Sequence, residues 1–287
     1  MPASLLLERL AVDQPTTIVD VGANPTDPTA HYQPLLQLGR CRLIGFEPQS
    51  DALDRLNRDK SPYETYYHHI IGDGGVHALH VCRAPIMTSI LEPNQKHCQA
   101  FHLFDKFTEV IERQPVVTRT MDELDEIPLI DHLKINACGS ERMILAHGKR
   151  KLAEVAVVQL EVVFIPLYHH QPTIGELDGE LRSMGLIPHA FSSIKKWGVK
   201  PLIINNDLRA SLNQLLVAEM VYVANFLDME SLSDERLKQM VILLHYCYQS
   251  YDVVLCCLTE LARRNIIDKN PDEWYLAFVK HELETCR

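Results

Sequence analysis

The stretch Thr17-Ile18-Val19-Asp20-Val21-Gly22-Ala23-Asn24 decides the fold: a short β-branched run, a carboxylate at its end, then one glycine. β-Branched residues suit a buried strand, and the glycine punctuates it. Without a Cβ, Gly22 lets the chain turn sharply and another group come close. Cys41-Arg42-Leu43-Ile44-Gly45-Phe46-Glu47-Pro48 repeats the scheme, with an acid and a proline after the apolar run. In an open parallel sheet, ligands bind beyond the carboxyl ends of the strands, near the point where strand order reverses. Asp20, Gly22, Ala23 and Asn24 after the first run, with Glu47 and Pro48 after the second, are therefore the first candidate binding residues.

Outward from these two strands the pattern alternates. A helix closes over 35–38 and ends at Gly39; a second is expected over 51–58. Residues 63–71 read as a strand stopped by Gly72-Asp73-Gly74-Gly75, and 76–82 as a strand paired with it in a hairpin. Further strands are expected at 132–135 and within 154–164, and helices at 141–147 and 174–184. Such alternation predicts an α/β, Rossmann-like fold, a mostly parallel sheet with helices on both faces. Beyond 198–207 everything reads as helical. Leu212, Leu215, Leu216, Met220, Val223 and Leu227 form one stripe. Ser233 caps a helix that buries Leu237, Met240, Val241 and Leu244, and residues 253–258 are apolar nearly all round. Asn270-Pro271 opens the last helix. The expected division is a cofactor-binding domain over 1–200 and a helical C-terminal region over 201–287.

The chain has 287 residues, 46% hydrophobic and 23% charged, the composition of an ordinary globular protein. Its net charge of -10 argues against a general nucleic-acid binder, which neutralises phosphates with a basic face. The basic runs Lys149-Arg150-Lys151 and Lys195-Lys196 are too short to change that. The 8 cysteines include no C-x-x-C pair, Met1 opens no basic-then-apolar leader, and no apolar run reaches membrane-span length. The expectation is a reduced, cytoplasmic protein without membrane association. The 14 histidines include His68-His69 and His169-His170, but adjacent strand residues point to opposite faces, so no metal site is expected. Neither a G-x-S-x-G elbow nor a P-loop is present.

Glu47 follows Gly22 by about 25 residues, a spacing at which an acid accepts hydrogen bonds from both hydroxyls of a ribose. A dinucleotide site would want G-x-G-x-x-G, and here Gly22 stands alone. Asp20 would sit badly beside a pyrophosphate; it holds the loop or accepts from a ligand amine. S-adenosylmethionine, which has no pyrophosphate, suits this loop better than NAD. Glu161 is an acid inside an apolar run, where a carboxylate has either a basic partner or a task. Pointing into the cleft, it is a candidate general base.

Val19-Asp20-Val21-Gly22-Ala23-Asn24, Gly45-Phe46-Glu47-Pro48, and Leu133-Lys134-Ile135 before Gly139-Ser140-Glu141, in that order, resemble the FkbM family of S-adenosylmethionine-dependent methyltransferases. Glu161-Val162-Val163-Phe164 with Pro166-Leu167-Tyr168 and Gln171-Pro172 is similar to one branch of it. The resemblance spans about 17–191. It implies O-methylation of a hydroxyl on a sugar, glycan or secondary metabolite. It also implies that Asp20, Gly22 and Asn24 line the methionine end of the cofactor, that Glu47 takes the ribose, and that Asp73 lies near the adenine. Asp73 in Gly-Asp-Gly-Gly also serves simply to shape a turn. Thr88-Ser89 and His31 are further candidates to face the acceptor, against the plainer reading of a satisfied loop and a solvent-facing side chain.

One block departs from the family pattern. The family carries an acid directly after the third of these strands, and commonly Gln or Glu before the glycine; here Asn136 and Cys138 stand there. An amide keeps the shape but can neither take a proton nor balance positive charge well. Two readings follow. In one, Asn136 still bonds the acceptor and Glu161 supplies the base. In the other, the chain is a methyltransferase-like binding or partner subunit with weak or no catalysis. The helical C-terminal region permits a homo-oligomer.

Overall fold

The computed structural model describes residues 4–285 except 13, 26, 28 and 29; Met1 and Cys286 lie outside the described residues. The first half of the chain runs through α1 (Ser4–Leu10), β1 (Thr16–Val21), α2 (Gln33–Gln37), β2 (Cys41–Phe46), α3 (Ser50–Asp59), β3 (Glu64–Tyr67), β4 (Val76–Cys82), α4 (Gln95–Cys98), α5 (Phe104–Phe107), β5 (Val110–Val117), β6 (His132–Ile135) and α6 (Glu141–Ala146). The rest comprises β7 (Val157–Val163), α7 (Ile174–Ser183), β8 (Leu186–Lys196), β9 (Leu215–Ala224), α8 (Asp234–Tyr246), α9 (Tyr251–Arg263) and α10 (Pro271–Thr285).

Seven strands form one sheet in the order β3-β2-β1-β6-β7-β9-β8. The pairs from β3 to β7 are parallel; β9 is antiparallel to both β7 and β8. Every residue of β1 is buried. The chain winds outward through β2 and β3, then returns to the other side of β1 as β6. That reversal between β1 and β6 is the switch point, and it places the ends of β1, β2, β6 and β7 around one crevice. The fold is the Rossmann-like methyltransferase fold, with the three helices α8, α9 and α10 after its last strand.

The two faces of the sheet differ. Val19, Val21, Leu133, Ile135, Val158 and Leu160 make the middle of one face apolar, and α7 packs against β7 and β8. The opposite face carries polar groups. Thr16 Oγ1 donates to Gln239 Oε1 of α8 at 2.8 Å. Tyr248, in the turn between α8 and α9, meets His132 Nε2 at 2.7 Å and donates to Gln159 Oε1 at 2.9 Å. The C-terminal helices thus cover this face and satisfy its polar side chains, as buried polar groups require.

Three expectations are corrected. The stripe from Leu212 to Leu227 is not a helix: Leu215–Ala224 is strand β9, and Leu212 and Leu227 are exposed. A run of buried apolar residues fits a strand covered on both faces as well as a helix, and periodicity alone does not separate them. The helical part therefore begins at α8. Strand β4 pairs not with the preceding strand but with β5, in a separate antiparallel ribbon. β3 instead joins the main sheet beside β2 and ends at Tyr67. Finally, α9 is buried at Val253, Val254, Cys257 and Leu258, but Cys256 is exposed, so the helix is covered on one side only.

Other elements form where expected. Ser233 Oγ accepts from the Arg236 N–H at 3.1 Å and caps α8. Pro271 opens α10. A second small core of Cys98, Phe101, Phe104, Leu167, Tyr168 and Leu216 builds a cap beyond the end of β7. No helix among the described residues is long and apolar enough to cross a membrane.

Candidate active site

At the end of β1 the chain turns at Gly22, with φ at +82°. A Cβ there would stand 2.1 Å from the Asn136 carbonyl oxygen, so the close approach that glycine permits is to the end of β6. The N–H groups of Gly22 and Ala23 both point at the Phe46 oxygen, at 2.9 and 3.0 Å. They are spent inside the protein and leave no cradle for a pyrophosphate. Asn24 is exposed just beyond, its carbonyl accepting from the Asp27 N–H at 3.1 Å.

Asp20 turns inward. Its Oδ2 accepts from the Tyr32 hydroxyl at 2.6 Å, and its Oδ1 from Lys134 Nζ at 3.2 Å. Lys134 is fully buried and lies 2.6 Å from Asp27 Oδ2 as well. Burial disfavours its charge, but Asp20 and Asp27 outweigh that and hold the ammonium well above its ordinary range. Of the two roles weighed for Asp20, these contacts supply the one of holding the loop.

Glu47 closes β2 and is 5% exposed. Its Oε1 accepts from the Gln49 N–H at 2.7 Å; its Oε2 has no partner among the described residues. Burial raises the carboxyl to about 7, against the pull of the Gln49 N–H. A buried acid with a vacant acceptor calls for donors from a ligand. Pro48 accepts from His68 Nε2 at 2.6 Å through its carbonyl, which steadies the turn. Phe46, Tyr67 and His69 stack beside it, with ring centroids 5.9 to 6.2 Å apart.

Asp73 is engaged in its own turn. Its Oδ1 bonds His77 Nε2 at 2.7 Å and accepts from the Gly75 N–H at 2.8 Å and the Thr118 hydroxyl at 3.1 Å. These bonds, led by that from His77, lower its carboxyl to about 2.

The ends of β6 and β7 hold the acids. Glu141 at the start of α6 is buried, and its Oε1 accepts from the N–H groups of Ala137 and Gly139, at 3.2 and 3.1 Å. Asn136 is half-buried; its N–H is bonded to the Val21 oxygen at 2.9 Å, while its side chain makes no hydrogen bond to a described residue. Ile135 pairs with Leu160, so Asn136 and Glu161 are the next residues along two adjacent strands. Glu161 is half-buried, with no hydrogen bond or ion pair among the described residues. Burial first, then Glu141 and Glu219, raises it to about 8.

The cap lies over this end. Ser89 is buried, with its hydroxyl donating to the Cys138 carbonyl at 2.8 Å, and the Cys138 thiol reaches the Ile86 oxygen at 3.2 Å. Thr88 accepts from the Cys82 N–H at 3.2 Å. Both hydroxyls are therefore engaged with neighbouring backbone. His31 packs against Tyr248, with ring centroids 5.5 Å apart, and burial lowers its basicity.

Sequence reasoning missed Glu219, Gln159 and Tyr248, and quoted Lys134 without giving it a role. Each is a polar or charged residue set in an apolar strand or at a helix turn, the same signal that singled out Glu161.

The chain belongs to the FkbM methyltransferase family, whose domain model matches residues 20–187, more than half its length. The cofactor of this family is S-adenosylmethionine. Among curated proteins compared by sequence, none matches. Two solved structures have a similar course. One is the precorrin-6y C5,15-methyltransferase of Geobacter metallireducens, at 14% identity, TM-score 0.36, covering 77% of this chain and 86% of that one. Another is the magnesium protoporphyrin IX methyltransferase of Synechocystis PCC 6803 with bound S-adenosylmethionine, at 8% identity, TM-score 0.37, covering 77% and 76%.

Proposed function

We propose that the chain methylates a hydroxyl oxygen of a small molecule or glycan, with Glu161 as general base. The observation that carries this is the Glu161 carboxyl: half-buried at the crevice, unpaired, and raised to about 8. A base tuned near the working pH balances availability against driving force. An alcohol must lose its proton as it attacks, whereas a neutral amine is already nucleophilic, so an unpaired base favours oxygen as the acceptor atom.

The residues present fit the cofactor. Glu47 Oε2 is an open acceptor on a buried residue and suits a ribose hydroxyl, and the N–H groups at Gly22 and Ala23 are spent, which suits a nucleoside without phosphates. When bound, S-adenosylmethionine supplies a methyl group activated by positively charged sulfur. Glu47 holds the ribose, and the turns at Gly22-Ala23-Asn24 and Pro48 wall the site. Asn136 positions the acceptor oxygen through its amide. Glu161 takes the acceptor's proton as that oxygen gains the methyl group.

The test is incubation with labelled S-adenosylmethionine and a panel of hydroxylated glycans and small molecules, with Glu161→Gln alongside. Transfer to oxygen is expected, falling about 10²–10⁴-fold in the variant. Transfer that survives Glu161→Gln removes Glu161 as base. A second reading, a binding or partner subunit, is supported by Asn136 standing where the family has an acid. Cofactor binding without transfer to any acceptor would favour it.

A further inference from the structure

Strand β9, outside the matched family domain, carries its own acid. Glu219 is 2% exposed and pairs in register with Glu161 across the antiparallel β7–β9 ladder. Register partners in such a ladder point to the same face, with Cβ atoms about 4.5–5.5 Å apart. Gln159 confirms the face: it lies two residues before Glu161, and its Nε2 donates to Glu219 Oε2 at 3.4 Å. Like charges directly opposite each other on a strand pair repel, and two buried carboxylates so placed do not both ionise easily.

We propose that Glu219 is a positioning residue for Glu161: the two carboxyl groups, facing each other across the ladder, share one proton at neutral pH, and Glu219 thereby sets the pH above which Glu161 serves as a base. The catalytic half of this rests on Glu161 being the base; the sharing of the proton does not.

The surroundings divide the pair. Glu219 is faced by Lys134 of β6, Lys195 of β8, Asp27 and the Gln159 amide. Burial raises its carboxyl above the ordinary range, and Lys134, the Gln159 amide and Lys195 pull it back toward the charged form. Glu161 is faced by Glu141 of α6, Glu219, Cys138 and Tyr168, and by Lys195 and Lys134, whose pull is outweighed. It has no donor of its own, so the proton resides mainly on Glu161 and the charge on Glu219. Groups pushed apart in this way take distinct acid–base roles.

The experiment is a carbon NMR titration of the full chain labelled at the glutamate carboxyl carbons, with the Glu161 signal assigned by its loss in Glu161→Gln. In the parent, Glu161 is expected to titrate near 8. Glu219→Gln keeps the shape, removes the charge, and should lower that midpoint by about 1–2 units. Glu219→Asp keeps the charge and should leave it within about half a unit. An unchanged midpoint in Glu219→Gln, or an equal shift in both variants, overturns the proposal. Should a variant fail to fold, the parent still decides. A Glu161 signal titrating near the ordinary 4.5 overturns the sharing, and one that titrates in two steps with Glu219 supports it. Methyl transfer by Glu161→Gln is a separate readout, so loss of the base assignment and loss of the shared proton are told apart.

Discussion

A methyl group on Gly22 would lie 2.1 Å from the backbone oxygen of Asn136. The turn that leaves β1 and the end of β6 are therefore in backbone contact, and the N–H of Asn136 closes the same junction on the Val21 oxygen at 2.9 Å. The turn after β1 and the end of β6 are one mechanical unit.

Gly22→Ala should disrupt that unit. The residue is held at φ +82°, costly for any side chain, and the clash is with backbone that cannot rotate away. The expected loss is about 2 kcal/mol or more, seen as a drop in melting temperature together with weaker binding of the demethylated cofactor. An alanine variant that melts and binds like the parent would show that the two strand ends separate freely.

If Glu47 holds the ribose, cofactor affinity should depend on pH. In the free protein its carboxyl is raised to about 7, and ribose hydroxyls donate best to the ionised form. Binding must therefore strip a proton below that pH. Affinity for S-adenosylhomocysteine, which lacks the sulfonium charge, should be level above about 7 and weaken by up to about tenfold per unit below it. Glu47→Gln should flatten the profile, and Glu47→Ala should cost about 1.5–3 kcal/mol without unfolding the chain. Calorimetry from pH 5.5 to 8.5, roughly the span over which such a group titrates, measures all three. A parent profile without slope would detach Glu47 from the ribose.

The strands that carry the site were readable because each ends on a punctuating residue: Gly22 after β1, and Pro48 after β2. Strand β9 was not. Leu215, Leu216, Met220 and Val223 fall at spacings that a helix also allows, and a strand buried on both faces loses the alternation that would betray it. That error hid Glu219. On a helix it falls within the apolar stripe, four residues after Leu215 and four before Val223, with no partner in view; on a strand between β7 and β8 it lies opposite Glu161. The partner of β4 was missed for a different reason: turn residues 72–75 promise a hairpin, yet β5 arrives only after the cap has been built. Lys134 was visible as a cation in an apolar run, but its two aspartate partners follow from the fold alone.

Tyr248→Phe tests how the C-terminal helices are tied to the sheet. Its hydroxyl links His132 Nε2 to Gln159 Oε1, and both partners are fully buried. Burial lowers His132 to about 3, so the ring stays neutral and needs this bond. Removing the hydroxyl takes this bond from the buried His132 ring and from Gln159 Oε1 and should cost about 1–3 kcal/mol in denaturant unfolding. A chain ended at Asp207 should fare worse, because it lacks β9, which bonds strands on both sides. A stable, cofactor-binding fragment of that length, or an unchanged midpoint in Tyr248→Phe, would show the helical part to be loosely attached.

Asn136→Asp restores the acid that the family pattern carries, and the structure indicates what it should do. Asn136 stands beside Glu161 at the ends of neighbouring strands, and burial, with Glu141 and Glu219, already raises Glu161 to about 8. A fourth carboxylate adds to that repulsion. Glu161 should then hold its proton to higher pH, so transfer at pH 7 should slow and its alkaline rise should move upward by about one unit. Affinity for S-adenosylmethionine should hold or increase, since the added charge attracts the sulfonium. With Glu161 as base, the amide is an adaptation that keeps the neighbouring acid usable near neutral pH. Measured on the same preparations, faster transfer by the aspartate variant at unchanged affinity would mean the opposite: the acid at this position is the working base, and the parent chain is a binding protein with impaired turnover.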